Sequence, residues 1–93
     1  MLEKTLQEML YVSYLIKSNK QPRLELYEMR VYSDALKEFL MLNANHRLSM
    51  EYSTDSVYGA YNHLKDCFLN QQTNQYQQQI NHHSELGVDY HIA

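Results

Sequence analysis

The last lysine or arginine in the sequence is Lys65. Residues 66–93 carry only three charged residues, all of them acidic. Glutamine and asparagine dominate residues 70–81 instead. The chain up to Lys65 mixes acidic, basic and apolar residues throughout. This asymmetry divides a single domain into a body, residues 1–69, and an amide-rich extension, residues 70–93.

Apolar residues of the body recur every three or four positions, which is the period of an amphipathic helix. The first such stretch spans residues 2–18, with an acid in its first turn and a lysine in its last, as the helix dipole favours. The second runs from Pro22 to about Leu42, with the proline at the first helical position, where its missing N–H costs nothing. We therefore predict an antiparallel helical hairpin, followed by a turn at residues 43–46.

A third helix is predicted to begin within residues 53–56, where serine, threonine and aspartate can each cap a helix. Because glutamine has good helix propensity, this helix is expected to continue to about His83. Residues 47–52 fit either a short strand or one and a half helical turns. The predicted fold is a small all-α domain of three helices, in which the third is the longest and carries the amide-rich extension.

Composition argues against several classes of protein. A net charge of −3 provides no electrostatic footprint for nonspecific binding to nucleic acid or to an anionic membrane. No stretch reaches the ~18 apolar residues of a membrane span, and the N-terminal residues do not follow a secretion-signal pattern. Cys67 is the only cysteine, so no disulfide framework is expected. A cytoplasmic protein without membrane contact is predicted.

Motifs for catalysis and metal binding are weak. Two glycines cannot form either common phosphate loop, and no oxyanion-forming loop accompanies Cys67. On a helix, His63 and Cys67 would share a face, and zinc accepts both ligand types. His82 and His83 are further candidate ligands. A small metal-binding protein is therefore one alternative, whereas the preferred prediction is a protein without enzyme activity or cofactor.

Residues 53–65 resemble, in the rhythm of their polar and apolar positions, the recognition helices of helix-turn-helix and winged-helix regulators. The resemblance implies DNA binding, with Asn62 and Lys65 among the contacts. The preceding segment is too short for the usual supporting helix, so DNA binding is a second alternative. A basic cluster that could contact an anion or nucleic acid is formed by Lys17, Lys20 and Arg23.

Association with another protein is the function that the sequence favours. A glycine inside a helix costs about 1 kcal/mol relative to alanine, which the close approach of another backbone to Gly59 would explain. The chain has nine tyrosines and no tryptophan, and tyrosine is enriched at interfaces. Amides of the extension can bond to a partner helix, including a second copy. The predicted partner contacts are Tyr58, Gly59, Tyr61, Gln72, Tyr76, Gln79 and Ile80.

We therefore predict a protein–protein interaction module that forms homodimers. Such a module would act as a small regulator or inhibitor by occluding or tethering a partner. Short acidic chains of this kind are similar to regulators encoded by mobile elements or phages, which is an analogy.

Overall fold

The computed structural model describes the backbone of residues 1–20 and 23–86 and the side chains of residues 1–20 and 23–73. Its helices are α1 (Leu2–Lys17), α2 (Leu26–Leu40), α3 (Arg47–Glu51) and α4 (Thr54–Leu86). The three long helices contact one another pairwise, and no strand occurs in the described ranges. The predicted all-α class is confirmed, and the ambiguous segment 47–52 proves to be a fourth, short helix.

Helix α1 ends close to its predicted boundary through a Schellman motif. Asn19 has a φ of 62°, a left-handed conformation that asparagine tolerates better than most residues. The N–H of Lys20 donates to the Leu15 carbonyl at 2.9 Å, and the N–H of Asn19 donates to the Ile16 carbonyl at 3.0 Å. The motif satisfies two terminal carbonyls of α1 and turns the chain toward α2.

The start of α2 differs from the prediction. Pro22 lies outside the described residues, but the helix expected to begin there begins at Leu26. Glu25 is extended, its backbone N–H donates to the Glu28 carboxylate at 2.9 Å, and the Glu25 carboxylate accepts from the first turn in return. This capping box sets the boundary. Upstream of it, Leu24 is buried, which keeps the preceding segment out of the helix.

Polar contacts join α1 to α2 and to α3. The buried Tyr32 hydroxyl donates to Glu8 at 2.9 Å, and burial together with this bond raises the pKa of Tyr32. Nearer the start of α1, Glu3 accepts from Arg47 at 2.8 Å, and this hydrogen bond lowers the pKa of the Glu3 carboxyl. Because Arg47 also pairs with Glu51 at 2.9 Å, it ties α3 to α1.

The core lies between the three long helices, and Leu48 of α3 is also part of it. Its last buried residue among the described side chains of α4 is Leu64. Beyond it, Cys67 and Phe68 pack partly buried against the core, whereas Leu69 is 53% exposed. The buried apolar residues are Leu6, Met9, Leu24, Met29, Tyr32, Ala35, Leu36, Phe39, Leu48, Val57, Ala60 and Leu64.

Helix α4 is longer than the body it packs against. Its 33 residues correspond to about 50 Å, in agreement with the predicted continuation through the glutamine run. The radius of gyration is 18.3 Å, whereas a compact chain of this length would have about 12 Å. The C-terminal half of α4 therefore projects from the body. None of the helices in the described part of the chain combines the length and apolar character needed to cross a membrane.

Candidate functional site

An open groove of about 410 Å³ separates the outer faces of α1 and α4. We call it the Gly59 groove. Small and apolar residues line much of it, so its surface lets another chain approach closely. The groove is lined by Leu10, Ser13, Tyr14 and Lys17 of α1 and by Asp55, Ser56, Gly59 and Ala60 of α4.

Gly59 has no structural reason within the described chain to be a glycine. A Cβ atom built at this position meets nothing within 4 Å, and the backbone has no positive φ. The helix-propensity cost of about 1 kcal/mol relative to alanine is therefore not offset by tighter packing inside the molecule. A backbone that approaches Gly59 closely, as the sequence suggested, would have to belong to another molecule.

Two side chains of opposite charge, Lys17 and Asp55, line the same groove. Lys17 lies in the last turn of α1 and Asp55 in the first turn of α4, where each complements its own helix dipole. Neither forms a hydrogen bond or ion pair with any residue whose side chain is described. Both charges are therefore available to an occupant of the groove.

A partly buried hydrogen bond links α1 and α4 at this groove. Ser13 is 3% exposed, and its hydroxyl lies 2.8 Å from Nδ1 of His63. A serine beside a histidine can serve as nucleophile and base, but such a pair also needs a group that orients the imidazole. Over the described residues, no hydrogen bond is made by the second ring nitrogen. The bond satisfies a buried hydroxyl and fixes α1 against α4.

Two of the four candidate metal ligands, His63 and Cys67, have described side chains. His63 is bonded to Ser13, and Cys67 is half-buried. Among the described residues, no group of three or more histidine, cysteine or acidic side chains could hold an ion. The side chains of His82 and His83 lie outside the described residues.

Burial, with a smaller contribution from Asp66, raises the pKa of the Cys67 thiol. Since the thiolate is the reactive form, we expect Cys67 to react with iodoacetamide more slowly than a free cysteine at the same pH. Time-resolved mass spectrometry of the native protein measures this rate, with the urea-unfolded chain as reference. A native rate above the unfolded rate would indicate an activated thiol and reopen nucleophilic chemistry.

The structure distributes the predicted partner contacts over different surfaces. Gly59 lines the groove, whereas Tyr58 is 48% exposed outside the groove lining, and Tyr61 packs partly buried against the core. Gln72 is exposed. The side chains of three further candidates lie outside the described residues, namely Tyr76, Gln79 and Ile80.

The predicted nucleic-acid contacts come from α1, from the segment that follows it and from α4. Lys17 lines the groove, Lys20 is exposed, and Arg23 pairs with Glu25 at 3.4 Å. On α4, Asn62 is half-buried and Lys65 is exposed beside the acidic Asp66.

Apart from Lys17, sequence reasoning missed the half of the groove that α1 provides. Tyr14 is 62% exposed, and it is spaced from Leu10 and Lys17 by four and three residues, which is the helical spacing that could have identified this face. Among the tyrosines whose side chains are described, only Tyr32 is buried. The exposed ones are Tyr11, Tyr14, Tyr27 and Tyr58.

Gln71 was also missed, because it stands at the start of the glutamine run and looks like its neighbours. Its side-chain amide donates to the Leu24 carbonyl at 2.8 Å and accepts from the Leu24 N–H at 3.2 Å. This reciprocal pair ties the extended segment before α2 to α4.

Comparison of the chain with protein-family models, curated proteins and solved structures found no match.

Proposed function

We propose that this chain is a non-enzymatic protein-interaction module that binds its partner through the Gly59 groove. The observation that carries the proposal is a helical glycine facing open space between two helices. Small residues at such a position let a partner backbone approach closely, and the exposed ring of Tyr14 supplies apolar contact area beside it. By covering a partner surface, the module would act as a small regulator or inhibitor.

The length of α4 supports a binding role. Its 33 residues correspond to about 50 Å, and its C-terminal half continues beyond the body. We propose that this half extends the contact with the partner.

The two alternatives have less support. In the segment that resembles a recognition helix, Val57, Ala60 and Leu64 are buried, and the five-residue α3 is too short to support it. For a metal site, His63 could ligate through Nε2 and keep its bond with Ser13, but among the described residues no group of three or more histidine, cysteine or acidic side chains could hold an ion. A cytoplasmic location belongs to the proposal, since the single cysteine suits a reducing compartment.

Replacing Gly59 by alanine or glutamine should strengthen the fold and weaken binding. Either side chain improves helix propensity, by up to about 1 kcal/mol in the free energy of unfolding, without an internal clash. A glutamine would also fill the groove and should reduce partner binding at least tenfold, or about 1.4 kcal/mol. Urea unfolding measures the first effect, and quantitative affinity capture from the native host measures the second.

The matched control is Asn70→Gln, which places the same side chain at an exposed position of α4 outside the groove. It should leave the captured proteins unchanged. A partner that binds wild type and Gly59→Gln equally well would show that the groove is not the docking surface. Destabilisation by Gly59→Ala would show that the glycine serves the fold instead.

A further inference from the structure

We propose that the occupant of the Gly59 groove is a second copy of this chain, related by a two-fold axis. In this arrangement Lys17 of each copy faces Asp55 of the other. The inference rests on the proposed function, because it names the partner of the same surface. Its first support is the charge pattern of the groove.

The groove carries one cation and one anion, Lys17 and Asp55, and each lacks a partner among the described side chains. A two-fold axis that passes between them places the lysine of one copy opposite the aspartate of the other. Both charges are then paired in a single closed contact, since a two-fold interface is self-complementary. A uniformly charged occupant, such as a nucleic acid or an acidic peptide, would pair one of the two charges and be repelled by the other.

The small residues of the groove fit the same symmetry. Residues close to a two-fold axis meet their own copies, so a side chain added there would collide with itself. Gly59 presents no side chain, and it leaves open space in each copy. Flanking the groove, Tyr14 is 62% exposed and can cover the opposing helix. The contact thus has an apolar centre and a charged rim, as specific interfaces do.

Charge exchange tests the arrangement directly. Lys17→Glu creates two like-charge contacts per dimer, and Asp55→Lys creates two of the opposite sign. Each variant alone should dissociate at a concentration at least tenfold higher than wild type. An equimolar mixture of the two should recover the dimer, because both contacts then pair a lysine with an acid. Sedimentation velocity from micromolar to about 100 µM protein resolves the two states.

The double variant Lys17→Glu/Asp55→Lys extends the test within one chain. It should dimerise with itself and fail to mix with wild type, because all four groups in a mixed dimer would face like charges. The matched controls are Lys37→Glu and Asp66→Lys, which change net charge equally at exposed positions outside the groove. Both should dimerise like wild type. If charge reversal disturbs folding, Lys17→Gln and Asp55→Asn should show a smaller loss of affinity.

A wild type that stays monomeric throughout this range overturns the inference. So does a mixture of the two charge variants that fails to associate while each remains folded by circular dichroism. The proposed function fails separately, when capture of a partner is insensitive to Gly59→Gln. A monomer whose capture depends on Gly59 would therefore retain the interaction role and exclude the second copy as occupant.

Discussion

Replacing Leu64 by alanine should lower the free energy of unfolding by about 3 kcal/mol. The side chain is fully buried where α4 packs on the other long helices, so its removal leaves a cavity that rigid neighbours cannot fill. Nearly all of the apolar surface that a fully buried leucine side chain removes from water is lost in such a change. Urea unfolding followed by circular dichroism gives the difference.

The matched control is Leu69→Ala, one and a half turns further along the same helix. Leu69 is 53% exposed, so its truncation should cost less than about 1 kcal/mol. Comparable losses at the two positions would mean that Leu69 also contributes to the core. The projecting half of α4 would then be a stabilising part of the body.

Gln71→Ala should destabilise the fold by about 1–3 kcal/mol, although the residue belongs to a run of glutamines. Its side-chain amide is hydrogen-bonded to both the N–H and the carbonyl of Leu24, and Leu24 is 2% exposed. Truncation leaves two backbone groups with no partner in a poorly hydrated place. The Leu24 amide should also exchange its hydrogen faster, which NMR can follow at one site.

Gln72→Ala is the control for this substitution, because Gln72 is exposed and chemically identical. It should change the free energy of unfolding by less than about 0.5 kcal/mol. Equal effects of the two substitutions would show that the link to Leu24 is not needed for stability. Glutamate in place of Gln71 is a sharper probe, since a carboxylate can accept from the N–H but cannot donate to the carbonyl.

Helical periodicity was sufficient to predict the class of this fold. The apolar spacing of α1 and α4 is regular, and glutamine does not interrupt a helix, so the existence and length of both followed from local chemistry. The start of α2 did not follow. Pro22 fits a first helical position, but the Glu25–Glu28 box and the burial of Leu24 govern the boundary. That burial depends on tertiary contacts.

The candidate site shows the same limit. Gly59 could be identified from sequence because glycine is unfavourable inside a helix, whatever surrounds it. Its neighbours across the groove could not, since Tyr14 and Lys17 come from a helix about forty residues away. The bond between Ser13 and His63 likewise joins positions fifty apart in the chain. Local patterns identify the position that departs from helix rules, whereas packing decides which residues stand beside it.

Helix α4 is continuous from the Gly59 groove to its end at Leu86. Residues 59–86 therefore span about 40 Å. The part beyond Gln71, which is bonded to Leu24, projects from the body. A pair of chains joined at the groove would present two such arms in a fixed relation. Targets spaced to match both ends would be held bivalently, with a gain that vanishes when the spacing is wrong. The length of α4 would in this way select targets by geometry, independently of the chemistry at its tip.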